Sequence, residues 1–280
     1  MRQPQKKALL VGINAYNDGP LNGCVNDVIK MNQVITHHFG FVDNSNKRML
    51  TDKSATTANI LARLRWLVDD AQPGDVLLFH YSGHGSQMVD VDYDLAVEPD
   101  GLDEIICPVD LNWRDKVIKD DDFADIFKAL PAGVNLTVLL DCCHSGGGLR
   151  DFNGSPNKVR SLPIPTDIMN RGFDKNLAPK TRGLYADRSQ IKTVEDQKGI
   201  LLSGCRSNQT SADAWIQPVR KYMGAFTHFC TETLKRHNWD MTYEDLIIET
   251  NKVLEAYGYD QRPELNCPNA LRTKKFLSVI

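Results

Sequence analysis

Two short segments of this chain, His80–Tyr81–Ser82–Gly83–His84–Gly85–Ser86 and Asp141–Cys142–Cys143–His144–Ser145–Gly146, hold side chains suited to nucleophilic chemistry. A cysteine attacks as its thiolate, and an ordinary thiol is mostly protonated near neutrality, so an adjacent imidazole is the common activator. His84 is the candidate base, because glycines on both sides permit a sharp turn and close backbone approach to a ligand. His80 lies inside the preceding apolar run, and His144 directly follows the doublet; a lone histidine is otherwise a satisfied core residue. Within the doublet, strand alternation places Asp141 and Cys143 on one face and leaves Cys142 as a small apolar filler on the other. Three successive residues cannot converge on a tetrahedral zinc, and no Cys-x-x-Cys occurs in the chain.

Each segment follows an apolar run, Val76–Phe79 before the first and Leu136–Leu140 before the second, that reads as a buried strand. Ligands of an open parallel sheet bind in the crevice at its strand ends, so the two groups can meet there. A further β-type run lies at Ala8–Ile13. A helix is predicted from about Val25, with Val28, Met31, Val34 and Ile35 on one face and Gly40 as its end, and a second over Thr57–Ala71. Glu104–Cys107 reads as β-type. Asp120–Asp121–Asp122 would cap a helix running through Leu130. A fifth strand-like run, Gly199–Cys205, precedes two amphipathic helices at about Ala225–Arg236 and Tyr243–Tyr257. This alternation argues for an α/β fold, a mostly parallel sheet of roughly six or more strands with helices on both faces. From Gly147 to Lys198 no ordered element is predicted, and a loop of that length is usually functional.

The 280 residues carry 33 Lys and Arg against 36 Asp and Glu, a formal charge of −3, which gives no reason to expect nucleic acid or an anionic membrane as partner. Met1–Lys7 is polar, and the apolar stretch behind it stops at Gly12, too short for a signal-peptide core. No run is long enough to span a membrane. Seven scattered cysteines fit a reducing compartment better than a disulfide framework, so a soluble, cytoplasmic protein is expected.

Tyr81–Gln87, Asp141–Gly146 and Ser203–Gly–Cys–Arg–Ser–Asn–Gln–Thr–Ser–Ala–Asp213 together resemble the three signature stretches of the metacaspases, caspase-like cysteine peptidases of clan CD, family C14. The resemblance runs from about Lys7 to Leu265, in the type I layout without a prodomain. It implies a caspase-like fold and one peptidase domain over 1–280, with a p20-like region at about 7–150, a long basic loop at about 147–198 and a p10-like region at about 199–280. It also implies a monomer. The catalytic pair falls on Cys143 and His84, with the backbone N–H groups of Gly85 and Cys143 as oxyanion hole. Cleavage after Arg or Lys is implied, in a pocket formed by Asp27 and Asp141 with Ser82 nearby.

The family's calcium site falls on Asp103, Asp120, Asp121 and Asp151, oxygen donors of the kind a hard cation takes. Asp120 and Asp121 could instead cap a helix, and Asp100 or Asp122 could replace a ligand. An aspartate at the end of an apolar strand supports the pocket on physical grounds, since a buried carboxylate needs a cation or several donors. A substrate Arg or Lys would supply the cation for Asp141; loop backbone could supply donors instead. The loop's Lys158, Arg160, Arg171, Lys175, Lys180, Arg182 and Arg188 offer sites for self-cleavage, where exposed loops are readily nicked. The alternative is an ordinary surface excursion.

The expected activity is therefore a calcium-dependent cysteine endopeptidase acting on protein or peptide substrates with a basic residue before the cut. A catalytically silent scaffold is the competing class, but the cysteine and histidine both stand in intact motifs. An Asp-specific caspase would need a cationic pocket in place of Asp27 and Asp141.

Overall fold

In the computed structural model, residues 2–89, 102–143, 157–172, 199–206 and 209–280 are described. The chain forms, in order, β1 (Lys6–Gly12), α1 (Cys24–His38), β2 (Lys47–Thr51), α2 (Thr57–Val68), β3 (Val76–Ser82), β4 (Gly85–Val89), β5 (Leu102–Ile106) and β6 (Ile118–Lys119). There follow α3 (Asp120–Phe127), β7 (Asn135–Asp141), β8 (Lys158–Val159), α4 (Thr166–Gly172), β9 (Ile200–Ser203), β10 (Ala212–Ile216) and β11 (Lys221–Gly224). The last elements are α5 (Ala225–Arg236), α6 (Tyr243–Ala256), β12 (Glu264–Asn266) and α7 (Asn269–Arg272).

The apolar runs become the middle of a six-stranded sheet in the order β12-β9-β7-β3-β1-β2. Its pairings are parallel except β12 with β9. Leu9 and Val11 face a core closed by Ile60, Leu64 and Leu67 of α2, whereas Ala8 and Leu10 face Val28, Met31 and Ile35 of α1 and Phe226 and Leu234 of α5. A sheet covered on both faces needs apolar residues at every position, which is why these strands read as unbroken runs. Two antiparallel ribbons, β4-β5-β6 and β11-β10-β8, flank the sheet.

Ser82 and Asp141 are register partners at the ends of β3 and β7. His84 and Cys143, each two residues further on, therefore leave the sheet at the same edge. α1 stops at His38 and the chain turns at Gly40 with φ +73°, while α5 has the bounds expected of it. α2 ends at Val68 rather than Ala71, and α3 at Phe127 rather than Leu130.

One expectation is corrected. Residues 157–172, placed by sequence in a stretch without ordered elements, hold β8 and α4, and Arg160 there is fully buried. Lys175, Lys180, Arg182 and Arg188 lie outside the described residues. All seven cysteines are free and buried, and among the described residues no helix is long and apolar enough to cross a membrane.

Candidate active site

Where α1, β3, β7 and β10 meet, three buried carboxylates surround one guanidinium. Arg160 Nη2 lies 2.8 Å from Asp27 Oδ2 and 3.0 Å from Asp213 Oδ1, and Nη1 lies 3.2 Å from Asp141 Oδ1. Nη1 also donates to Ser82 Oγ at 2.8 Å, and Ser82 Oγ in turn donates to Asp27 Oδ2 at 2.7 Å. Asp141 further accepts from Ser211 Oγ and from both the N–H and Oγ of Thr227. Asp27 accepts from the Gly224 N–H. A Cβ at Gly224 would collide with the Asp141 carboxylate and the Arg160 guanidinium, so glycine is what lets the two approach.

The sequence-derived pocket residues Asp27, Asp141 and Ser82 thus converge, and the cation that satisfies them comes from the chain itself. Charges so deep in the protein persist only when paired, and Arg160 is paired through both Nη atoms while its Nε makes no hydrogen bond. Burial pushes Asp27 up to about 7, against the pull of Arg160. Burial pushes Asp141 the same way, but Arg160 and the Thr227 and Ser211 donors outweigh it and hold that carboxyl below its usual range.

The main chain of the same arginine reaches the other candidate groups. The Arg160 carbonyl accepts from the Gly85 N–H and from the Cys143 N–H, each at 3.1 Å, and the Arg160 N–H donates to the Ser211 carbonyl at 3.1 Å. A Cβ at Gly85 would overlap the Cys143 carbonyl, so only glycine brings these two donors together. Upstream, Val159 and Lys158 pair antiparallel with Ala212 and Asp213 of β10. Residues 158–160 therefore lie as an added strand, with a carbonyl held between the two N–H groups that the resemblance names as an oxyanion hole.

His84 is nearly buried, and its Nε2 lies 2.6 Å from the Gly19 carbonyl. A carbonyl can only accept, so Nε2 carries the proton and the neutral ring presents Nδ1 as a lone pair. Nδ1 makes no hydrogen bond in the structure. Burial lowers His84 to about 4, the Gly19 carbonyl pulling the other way, so the imidazole is neutral near pH 7. The Cys143 thiol is buried beside Ser211, whose N–H donates to Sγ at 2.6 Å. Cys205 lies against it: its thiol is pushed up first by a hydrogen bond with Cys143 and then by burial. Cys142, the expected filler, packs in the apolar core. His80 is also buried and meets Thr227 Oγ1 at 3.3 Å.

Of the four carboxylates expected to hold calcium, Asp103, Asp120 and Asp121 lie among the described residues. Asp103 is buried and ion-paired with Lys119. Asp120 opens α3, but the cap is made by Asp122, which accepts the Lys119 N–H at 3.0 Å. Asp151 lies outside the described residues. Among the described residues no group of three His, Cys, Asp or Glu side chains has metal-holding geometry. The donor chemistry nonetheless suits a hard cation, since burial, followed by the charges of Asp103, Asp121 and Glu104, pushes Asp120 up to about 6.

Three participants were not read from the sequence: Asp213, Ser211 and Gly19. Asp213 stands near the start of β10 and follows no apolar run, so it lacks the signal that marked Asp141. Gly19 acts through its carbonyl and carries no side-chain signal for that role, and Ser211 acts through its N–H and carbonyl as well as through the hydroxyl that donates to Asp141.

Comparison with known proteins identifies the family. A family model described as the metacaspase, peptidase C14 domain matches residues 6–151. The chain is 34% identical to metacaspase-1 of Schizosaccharomyces pombe over 310 aligned residues, covering 96% of this chain and 68% of that protein. It is 34% identical to metacaspase-1 of Ajellomyces capsulatus, covering 96% and 81%, and 33% identical to metacaspase-1A of Aspergillus niger, covering 95% and 71%. The crystal structure of protein GSU0716 from Geobacter sulfurreducens superposes with a TM-score of 0.71 at 25% identity, covering 99% of this chain and 100% of that one.

Proposed function

Because this chain belongs to the metacaspase family, and is with it a cysteine-type peptidase, we propose that it cleaves peptide bonds after Arg or Lys and that its first substrate is its own Arg160–Ser161 bond. The observation that carries this reading is the seating of Arg160, guanidinium among Asp27, Asp141 and Asp213 and carbonyl on the Gly85 and Cys143 N–H groups. Both ends of one residue occupy the places that recognition and chemistry require. A pocket with three carboxylates would reject an acidic residue at the same position, which argues against cleavage after Asp.

In the reaction, Nδ1 of His84 takes the proton of the Cys143 thiol. The thiolate adds to the carbonyl carbon, and the charge that develops on oxygen meets the two N–H groups. The C–N bond then breaks as His84 returns the proton to the leaving amine, leaving a thioester on Cys143. Water, deprotonated by His84, hydrolyses that thioester and frees the thiol. In the seated segment the Cys143 thiol is turned to Ser211, so the hydrogen bond between imidazole and thiol must form before attack.

Calcium would be held by Asp103, Asp120, Asp121 and Asp151. It would supply positive charge where acids crowd one another and relieve Asp120 of its need for a proton.

The test is incubation of the intact chain with calcium or with a chelator, followed by mass spectrometry of new termini and assays on fluorogenic peptides ending in Arg or Asp. A new N-terminus at Ser161 and turnover of the Arg peptide are expected, both lost in Cys143→Ala and retained in Cys142→Ala. Activity confined to the Asp peptide, or persisting in Cys143→Ala, would overturn the reading. Equal rates with chelator would remove calcium from it.

A further inference from the structure

The segment that presents Arg160 is gripped on its far side as well. After Arg160, Ser161 bridges to Gly85 in parallel, and the Leu162 N–H donates to the Gly85 carbonyl at 3.1 Å. Ser86, fully buried in β4, donates its Oγ to the Leu162 carbonyl at 2.6 Å. Leu162 thus has both of its main-chain polar groups paired to β4.

Burial along the segment is uneven. Lys158 and Val159, which precede Arg160, are half-buried; Ser161 is half-buried, Leu162 is 9% exposed and Pro163 is exposed. Two side chains therefore anchor the segment, Arg160 in the carboxylates and Leu162 in an apolar seat. That seat belongs to the cluster holding Ile13, Tyr16 and Leu21. Leu162 lies against Gly19, the residue whose carbonyl holds His84. Beyond it a cavity of about 500 Å³, lined by Tyr16, Leu111 and Trp113 opposite Ile164, continues along the path of the chain.

We infer that this peptidase selects its substrates on both sides of the cut, requiring a branched apolar residue at the second position after the bond in addition to the basic residue before it. The inference rests on the proposed reading of Arg160 as a substrate residue. If the segment lies as a substrate lies, β4 is the template for the residues after the cut, with Gly85 and Ser86 holding the main chain. The only side chain that it buries there is that of Leu162. An apolar seat touching the loop that orients His84 also couples its occupancy to the position of the base. A residue such as Asp or Gly at that position would strand a charge or leave the seat empty.

The test uses the intact chain with calcium and internally quenched peptides of sequence Lys-Val-Arg-Ser-Leu-Pro-Ile, with Leu kept or replaced by Gly or Asp. An Arg–fluorophore compound with no residue beyond the cut serves as control. One well-packed side chain in an apolar seat is worth roughly 10- to 100-fold in kcat/KM, so losses of about that size are expected for Gly and Asp. If the control is hydrolysed and the three peptides are cut equally fast, the apolar seat is overturned while cleavage after Arg stands. If neither control nor any peptide is cut, the reading of Arg160 fails and this inference falls with it.

Discussion

Asp27 and Asp141 touch one guanidinium yet shift in opposite directions: burial pushes both up, but at Asp141 it is outweighed by Arg160 and the Thr227 and Ser211 donors, whereas at Asp27 burial together with the charge of Asp141 outweighs Arg160 and Ser82. Of these two carboxyls, Asp27 is therefore the one that takes up a proton at the higher pH. Arg160 pulls the Asp27 carboxyl down to the value of about 7 it has here, so once that arginine leaves, Asp27 keeps its proton to higher pH. Entry of a substrate cation must then expel it, and binding of a basic residue strengthens as pH rises. KM for an Arg peptide is expected to be flat below about pH 7 and to fall as pH rises above it, by about tenfold per unit at most. His84, at about 4, stays neutral across that range and adds no slope of its own. Asp27→Asn should bind more weakly and with a flat profile. A wild-type KM that does not change with pH would show that Asp27 is not the titrating group.

At the scale of elements, the site is a sheet edge completed by a strand. β10 is paired with β11 on one side and offers its other side to β8, an arrangement in which main-chain hydrogen bonds supply affinity and side-chain pockets supply selectivity. The bond from the Arg160 N–H to the Ser211 carbonyl is the last of that series before the cut. A peptide inhibitor methylated on the amide nitrogen of its Arg should lose that bond, and its Ki should rise about 5- to 30-fold relative to the unmethylated peptide. Equal Ki values would mean that substrates do not lie along β10. The strands of the main sheet were legible because both faces are buried, so that Val76–Phe79 and Leu136–Leu140 are apolar throughout. α5 and α6 were legible from their periodicity. β8 could not be read, since two half-buried residues hold no pattern and the segment is held through the next residue, Arg160, by Asp213 and Asp27, 53 and 133 positions away from it in sequence. The proposed catalytic pair stands out in the sequence because glycines and an adjacent acid surround it. The third carboxylate of the pocket sits on a ribbon strand with no such surroundings.

For the molecule as a whole, Arg160 is a junction between parts far apart in sequence. Through it α1, β3, β7 and β10 share one charge cluster, and Asp213 also accepts the N–H groups of Asn22 and Gly23 at the start of α1, a helix with no side-chain cap of its own. Removing the guanidinium leaves three carboxylates in a site built for a cation, and breaking a buried pair from one side costs about 3–5 kcal/mol. Cutting must be prevented if this cost is to be seen alone, so the comparison belongs in the Cys143→Ala background. There, Arg160→Ala should lower the melting temperature by about 6 °C or more, taking roughly 2–4 °C per kcal/mol for a protein of this size. The lost stability is recoverable by mass action, because any ligand that binds only the folded state raises its melting temperature as the logarithm of concentration. Acetyl-Val-Arg-amide should therefore restore the double variant progressively while leaving the Cys143→Ala protein unchanged, whose pocket is already filled. Restoration of neither variant would mean that the cluster is a permanent structural brace, closed to substrates, and equal stabilisation of both would mean that the peptide binds elsewhere.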